Sequence, residues 1–235
     1  MPGFKNAHTH SGMTFLRSMA DDLPLHDWLN QNIFPAEAKL SMDYIYPFTK
    51  LAILEYLTGG VTSIFDMYLC PDMVAKACRE MGMRLVMVSG LNDFTSSIRQ
   101  TADEYEKYNK QDDLVSYHLG FHAEYTTDKK TLLELKELAH HYKTPVYSHL
   151  CETEFEVQGC MERHGKTPIA FLESMDMFAY GGGGYHCIYL SEEELDILKG
   201  RKLSVVTCPG SNTKLASGIA PVKKMLEKGI NVAIG

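Results

Sequence analysis

The feature that most constrains the fold is an alternation of short apolar or β-branched runs with helical patterns along nearly the whole chain. The runs with strand character cover residues 3–8, 61–65, 85–89, 116–121, 145–149, 177–187, 203–207 and 231–235. The helical patterns between them cover residues 41–58, 71–82, 98–110, 128–142, 155–173, 191–199 and 218–229. Each is long enough to carry the chain back across a parallel sheet. Eight such βα units predict an α/β fold, a TIM-type (β/α)8 barrel, with a doubly wound open sheet as the alternative.

The length of 235 residues suits one barrel domain, 1–235, that ends at the last strand. No apolar run reaches the length of a membrane span, and the first residues lack the pattern of a signal peptide, so we expect a cytoplasmic protein that does not bind membranes. The formal net charge of -7 argues against nucleic acid as a partner. Six cysteines without a CxxC pair suit reduced, mostly buried thiols.

Histidines occur where the predicted strands end. His8 and His10 end the first strand, His122 follows the fourth, His149 ends the fifth and His186 ends the sixth. In a barrel the carboxyl ends of all strands meet at one rim, where catalytic groups gather. The remaining histidines have no such placement and are interpreted as surface or packing residues: His26, His118, His140, His141 and His164.

The triplet His8-Thr9-His10 places two imidazoles on the same face of an extended strand. Neutral imidazole is a common ligand of zinc and also serves iron, copper and nickel. Glu152 lies three residues after His149, so one stretch offers a metal ligand and a group that can move protons, as a metal hydrolase needs. Cys151 is interpreted as a core residue rather than a ligand.

The segment 22–39 interrupts the alternation, because it inserts a long connection between the first strand and its helix. Insertions after barrel strands lie over the active-site mouth. Trp28, the only tryptophan, therefore either lines a substrate pocket or anchors a helix on the barrel rim.

Several motifs, in order along the chain, carry a family resemblance. They are Pro2-Gly3-Phe4-x-Asn6-x-His8-x-His10, Gly120-Phe121-His122, Ser148-His149-Leu150-x-Glu152-Thr153, Tyr185-His186-Cys187 and Cys208-Pro209-x-Ser211-Asn212-x-Lys214-Leu215-x-Ser217-Gly218-x-Ala220-Pro221. This set resembles the amidohydrolase superfamily. Within it, the set is similar to the branch with S-adenosylhomocysteine and methylthioadenosine deaminases, guanine deaminase and triazine chlorohydrolases.

The resemblance implies roles for individual residues. His8, His10 and His149 would bind one divalent metal ion, with zinc expected before iron. Glu152 would be the proton shuttle, and His186 would orient the attacking water or the tetrahedral intermediate. Substrate contacts would come from His122, Trp28 and Arg99.

The resemblance also implies parts that the 235 residues do not contain. Family members carry a Thr-Asp pair after a sequence like Val232-Ala233-Ile234-Gly235, and that aspartate is a fourth ligand and a base. They also carry a small accessory β-sandwich. We therefore expect a chain truncated at both ends, with its activity in doubt.

Four features depart from the family pattern or are interpreted as local structure. Tyr189 replaces a histidine that often follows the strand-six histidine, and Glu124 stands where a proline is common. The glycines 181–184 are interpreted as a closely approached strand entrance rather than a phosphate loop. Residues 209–212 are interpreted as a turn.

The function expected from the residues and the resemblance together is hydrolytic deamination of an aminated purine or purine nucleoside, with release of ammonia. Two alternatives stay open. The first is hydrolysis of another C–N bond or a C–Cl bond, as in guanine deaminases, triazine chlorohydrolases or cyclic amidases. The second is a catalytically impaired barrel that binds a purine or a protein. The substrate would be a small molecule, and the sequence leaves a homo-oligomer open.

Overall fold

A computed structural model describes residues 1–20, 22–110 and 113–235 of the chain. Its strands are β1 (Phe4–Thr9), β2 (Val61–Asp66), β3 (Arg84–Val88), β4 (Val115–Gly120), β5 (Val146–Leu150), β6 (Gly182–His186), β7 (Ser204–Thr207) and β8 (Asn231–Ile234). Neighbouring strands pair in chain order from β1 to β8, and each of these pairs is parallel. At the remaining seam β8 lies beside β1, where a Cβ added to Gly235 would come within 3.0 Å of the His8 backbone. The predicted barrel is confirmed.

Helices connect the strands and cover the outside of the barrel. They are α1 (Leu25–Trp28), α2 (Phe34–Glu37), α3 (Ile45–Thr58), α4 (Pro71–Met81), α5 (Ile98–Tyr108), α6 (Lys129–Tyr142), α7 (Glu154–His164), α8 (Pro168–Ser174), α9 (Glu192–Gly200), α10 (Pro209–Lys214) and α11 (Val222–Glu227). Four of these helices, α5, α6, α7 and α9, begin with a side chain that caps the first turn. Asp128 accepts a hydrogen bond from the Thr131 amide at the start of α6, and Ser191 and Glu194 form a capping box on α9.

The sequence prediction was wrong at three element boundaries. The sixth strand does not begin at residue 177, because residues 177–181 form turns and only Gly182–His186 is extended. The stretch 155–173 is not one helix. It divides at Gly165, whose φ of +68° ends α7, and Pro168 begins α8. Residues 209–212 are not an isolated turn, since they form most of α10.

The glycines at the start of β6 allow a very close approach of three strands. A Cβ at Gly182 would lie 1.9 Å from the carbonyl oxygen of Val146 on β5, and a Cβ at Gly183 would lie 2.3 Å from the carbonyl oxygen of Ser204 on β7. Only glycine fits such positions. This contact sets the position of His186, which lies at the other end of the same strand.

The inserted segment folds into α1, a π-helical turn at Leu29–Ile33, and α2. Leu29 and Ile33 pack with Leu16 in a small apolar cluster, and Trp28 packs against its side. This cluster holds the insertion against the rim at the carboxyl end of β1.

All six cysteines are free thiols, as the sequence predicts. Within the described ranges, no helix has the length and apolar character needed to cross a membrane.

Candidate active site

Three histidines from three strands bring their ring nitrogens together at the carboxyl rim of the barrel. His8, His149 and His186 are buried, and one nitrogen of each lies within 4.8 Å of the others. The Nε2 atoms of His8 and His149 are 3.1 Å apart. His10 joins the group from the end of β1, with its ring centroid 4.7 Å from that of His8 and 5.3 Å from that of His149.

Most of these imidazoles use their second nitrogen to contact the protein. The Nδ1 atom of His10 lies 2.5 Å from the Met67 carbonyl oxygen, and Nδ1 of His149 lies 2.6 Å from the His122 carbonyl oxygen. Because a carbonyl only accepts, Nδ1 is the protonated nitrogen in both rings, and Nε2 keeps a lone pair. Such outer contacts fix the tautomer and orientation of a metal-ligating histidine.

His186 is oriented by a side chain instead. Its Nδ1 lies 2.7 Å from Oδ1 of Asn212, a buried residue of α10. His186 also has a left-handed backbone, with φ of +67°. A histidine held in this unusual conformation and bonded to a buried amide is fixed in one orientation.

The site keeps its histidines neutral. Burial lowers the pKa of His10 and of His186 to about 4, and it lowers the pKa of His8 and His149 well below the ordinary value. Neighbouring histidines lower the pKa of His8, His10 and His149 further. The pKa of His186 is lowered by burial alone. At neutral pH each ring therefore offers a lone pair, as a metal ion requires.

The residues present fit a divalent metal ion. Two Nε2 lone pairs 3.1 Å apart repel each other unless a proton or a cation lies between them. The Nδ1 atom of His8 is buried without a hydrogen-bond partner among the described residues, so the His8 ring is not committed to another role. Neutral nitrogen donors suit zinc and iron. The predicted set is His8, His10 and His149, whose ring centroids lie 4.7, 4.9 and 5.3 Å apart. His186 lies slightly farther out by this measure, with its centroid 5.9 Å from that of His8 and 5.5 Å from that of His149.

Glu152 lies beside this cluster, in the turn between β5 and α7. Its side chain is buried, with Oε1 3.5 Å from Nδ1 of His186. Burial raises the pKa of Glu152 to about 8. The carboxyl group therefore carries a proton at neutral pH and can give it to a bound molecule.

The predicted substrate residues have different surroundings. The ring centroid of His122 lies 5.0 Å from that of His149, with Nδ1 bonded to Thr126 Oγ1 at 3.1 Å. Trp28 lies with His10 and Tyr56 on the wall of an open cavity of about 860 Å³ and also packs against the apolar cluster of the inserted segment. Its contact with substrate stays a prediction. Arg99 lies exposed in the first turn of α5, whereas other segments form the wall of that cavity.

Sequence reasoning missed several residues that shape the site. Asn212 looked like turn chemistry, although it belongs to a quoted motif that could have indicated it. Asp66, at the end of β2, accepts the Ser11 amide, and Tyr56 bonds to the Thr9 and Ser11 hydroxyls. No local pattern marks this network, because its members come from three separate segments.

Glu124, which stands where the family often has proline, is buried. It receives Arg163 through two hydrogen bonds, from Nε at 3.0 Å and Nη2 at 2.5 Å, and lies 2.9 Å from Nε2 of His164. The cluster ties the segment after β4, which carries His122, to the end of α7. The departure from the family pattern therefore has a structural role.

An eight-stranded parallel barrel with a buried histidine cluster at its carboxyl rim defines a class of metal-binding barrels. The model of the amidohydrolase family matches residues 1–235, and the chain belongs to that family.

Relatives with known names agree with this assignment. A 5-methylthioadenosine/S-adenosylhomocysteine deaminase of Thermodesulfovibrio yellowstonii is 41% identical over 100% of this chain and 55% of its own length. A 5'-deoxyadenosine deaminase of Methanothermobacter thermautotrophicus is 38% identical over 100% of this chain and 57% of its own length. The chain thus spans a little over half the length of these curated relatives.

A solved structure has the same fold. The crystal structure of an adenosine deaminase from Xanthomonas campestris, with bound zinc, superposes with a TM-score of 0.93 and 34% identity. The match covers 100% of this chain and 55% of that one.

Proposed function

We propose that residues 1–235 form the catalytic barrel of a hydrolytic deaminase, which replaces the exocyclic amine of an adenosine-type nucleoside by oxygen and releases ammonia. The observation that carries this proposal is the buried cluster of neutral histidine nitrogens beside Glu152, a carboxyl group with a raised pKa. The names of the relatives support the adenosine-type substrate.

His8, His10 and His149 would hold the metal ion, with His186 beside it. We propose zinc before iron, because zinc is bound in the Xanthomonas relative and prefers nitrogen ligands. When bound, such an ion lowers the pKa of a coordinated water to about 7.

Glu152 would move every proton of the reaction. In its protonated form it gives a proton to the ring nitrogen next to the carbon that bears the amine, while a water oxygen bonds to that carbon. The carboxylate then takes a proton from this water and passes it to the amine, which leaves as ammonia. The last hydroxyl proton returns to Glu152, so the carboxyl group ends as it began.

His186 would accept a hydrogen bond from the adding oxygen through Nε2, since Asn212 occupies Nδ1. Trp28 would contact the substrate from the cavity wall, and His122 from the segment after β4. Arg99 lies away from the cavity wall, so we do not assign it a part in this scheme. The six free thiols suit the reducing cytoplasm, which we propose as the location.

The test combines metal analysis with a substrate panel. The purified protein is assayed for bound zinc and iron, and then for ammonia and chloride release from adenosine, 5'-deoxyadenosine, methylthioadenosine, guanine and a chlorotriazine. We expect ammonia from the adenosine compounds. Glu152→Gln should lower kcat by about 100- to 10,000-fold, as general acid–base groups typically contribute. Glu154→Gln, an exposed neighbour at the start of α7, is the control and should act like wild type. Normal deamination by Glu152→Gln would refute the proposal.

A further inference from the structure

Glu156 is a buried carboxylate that reaches back over the start of its own helix. It is the third residue of α7, and its side chain accepts two backbone hydrogen bonds of 2.8 Å, from the Cys151 amide to Oε1 and from the Glu152 amide to Oε2. Both amides belong to the turn that carries Glu152 into the site. The two bonds fix the peptide groups on either side of the Cys151 Cα atom.

That turn needs to be held in place. Cys151 has φ of +53°, a left-handed conformation that side chains other than glycine rarely adopt. Such a backbone is strained and persists only where its surroundings enforce it. The Glu156 carboxyl group supplies part of this enforcement, because both of its oxygens accept amides of the turn. The Cys151 carbonyl oxygen is held as well, by the amides of Ile188 and Tyr189.

Capping of α7 does not explain Glu156. The helix is capped by Thr153, whose hydroxyl accepts the Glu156 amide at 3.1 Å. In a capping box the glutamate at the third position bonds the amide of the capping residue itself. Glu156 instead bonds the two amides before Thr153, and one of these is the amide of Glu152.

Glu194 provides an internal comparison, since it is the third residue of α9 and equally buried. Its oxygens accept the amides of Ser191 and Ile169, so its bonds join α9 to α8. It contacts the thiol of Cys151 at 3.4 Å. Two glutamates at the same helix position therefore differ in one respect: only Glu156 holds the backbone of Glu152.

We propose that Glu156 is a positioning residue for the reaction: it holds the turn that sets where the Glu152 carboxyl group meets the substrate. This role rests on the proposed function of Glu152. The carboxyl group of Glu152 must lie within hydrogen-bond reach of each atom it protonates, and a displacement of about 1 Å can cost about 100-fold in rate.

The test compares single and double variants of the metal-loaded protein. In Glu156→Gln the side-chain oxygen can still accept one backbone N–H. The side-chain NH2 group that replaces the second oxygen is a donor and faces the other backbone N–H, so one hydrogen bond of the turn is lost. We expect kcat to fall by about 10- to 100-fold with KM nearly unchanged, as for loss of an interaction that orients a catalytic group. Glu156→Asp keeps the carboxyl group on a shorter side chain and should fall in between. It serves as the second variant if Glu156→Gln does not fold.

The control and the double variant decide between positioning and general stability. Glu194→Gln should lower the melting temperature as much as Glu156→Gln does, with kcat near wild type. The double variant Glu152→Gln/Glu156→Gln should have the kcat of Glu152→Gln alone, because residues that act as a unit are not additive. A further additive fall in the double variant, or an equal loss of kcat in Glu194→Gln, overturns the positioning role alone. A normal kcat in Glu152→Gln overturns the proposed function and this role with it.

Discussion

The two halves of the strand-end site differ in how their polar atoms are satisfied. In the half built by β5, β6 and the segments after them, both histidines have a second partner in the protein, and the backbone of Glu152 is held, although the buried Tyr185 hydroxyl has no partner in the described residues. His149 bonds the His122 carbonyl, His186 bonds Asn212, and Glu156 holds the backbone of Glu152.

The half built by β1, β2 and the inserted segment is less complete. Three buried polar atoms there find no hydrogen-bond partner in the described residues, namely His8 Nδ1, Asp66 Oδ1 and Trp28 Nε1. A buried polar group without a partner costs free energy and calls for an explanation. We infer that the chain itself fixes the proton-transfer half, whereas the other half gains contacts from what the site binds.

The largest expected effect tests whether both halves serve one metal centre. His8→Asn and His149→Asn should each lose the bound ion and lower kcat/KM by at least about 1000-fold, because a metal ion contributes several kcal/mol to the transition state and each 1.36 kcal/mol is tenfold. Metal analysis and an ammonia assay measure both effects. His141→Asn, exposed on α6, is the control. If one of the two variants keeps its metal, the histidine replaced in that variant is not a ligand, and the metal centre belongs to the half of the site that carries the other histidine.

The next effect concerns Asp66 in the incomplete half. Burial raises the pKa of Asp66 to about 7. The folded protein therefore binds this proton more tightly than the unfolded chain does, so the stability it contributes is present below about pH 4 and is lost as the pH rises through 7. Asp66→Asn keeps an oxygen for the Ser11 amide without a buried charge. Between about pH 4 and 8 the free energy of unfolding of wild type should fall more than that of Asp66→Asn. The difference between the two falls should be on the order of a few kcal/mol.

Urea denaturation at several pH values measures this difference. The control is Asp72→Asn, because hydrogen bonds from Lys107 and Tyr108 lower the pKa of Asp72. Because a lowered pKa places the titration of Asp72 below about pH 4, the profile of Asp72→Asn should run parallel to that of wild type between about pH 4 and 8. Parallel pH profiles for wild type and Asp66→Asn would show that Asp66 is paired in solution.

A smaller effect is expected from the completed half. Asn212→Leu removes the acceptor of His186 Nδ1 and should lower kcat by about 10- to 100-fold, the usual cost of losing an outer partner of a site histidine. Asn212→Asp retains an acceptor and should keep more of the activity. Steady-state kinetics on 5'-deoxyadenosine compare the two, and equal losses would contradict the orienting role of Asn212.

The smallest effect is expected at Trp28. Because its Nε1 has no partner in the described residues, Trp28→Phe loses no protein hydrogen bond. Its free energy of unfolding, measured by urea denaturation, should differ from that of wild type by less than about 1 kcal/mol. If Nε1 instead contacts substrate, KM should rise several-fold with kcat nearly constant. A KM equal to that of wild type would leave Trp28 a packing residue only.

Much of the fold could be predicted from the sequence, because periodicity and caps are local. The eight strands lie within two residues of their expected bounds, except for the start of β6. That start was missed because Met177 and Phe178 are apolar and buried like strand residues, yet they lie in turns. The break between α7 and α8 was missed because its signals, Gly165 and Pro168, stand inside an otherwise helical pattern.

The candidate site was predicted in its members but not in its contacts. Parallel strands bring their carboxyl ends to one rim, so His8, His149 and His186 could be expected to meet. How closely His10 and His186 each approach His149, 5.3 and 5.5 Å between ring centroids, depends on backbone details such as the left-handed φ of His186. Arg99 illustrates the limit, since a position near a motif does not place a side chain at the cavity.

The sequence by itself therefore determined the barrel, the strand-end histidines and Glu152, because these follow from local periodicity and the order of motifs. Only the tertiary structure decided that Asn212 orients His186, that Glu156 holds the turn before α7 and that Arg163 reaches Glu124. Those contacts depend on the positions of elements packed against one another, and burial, which shifts the pKa of Glu152 and the histidines, exists only once that packing has formed.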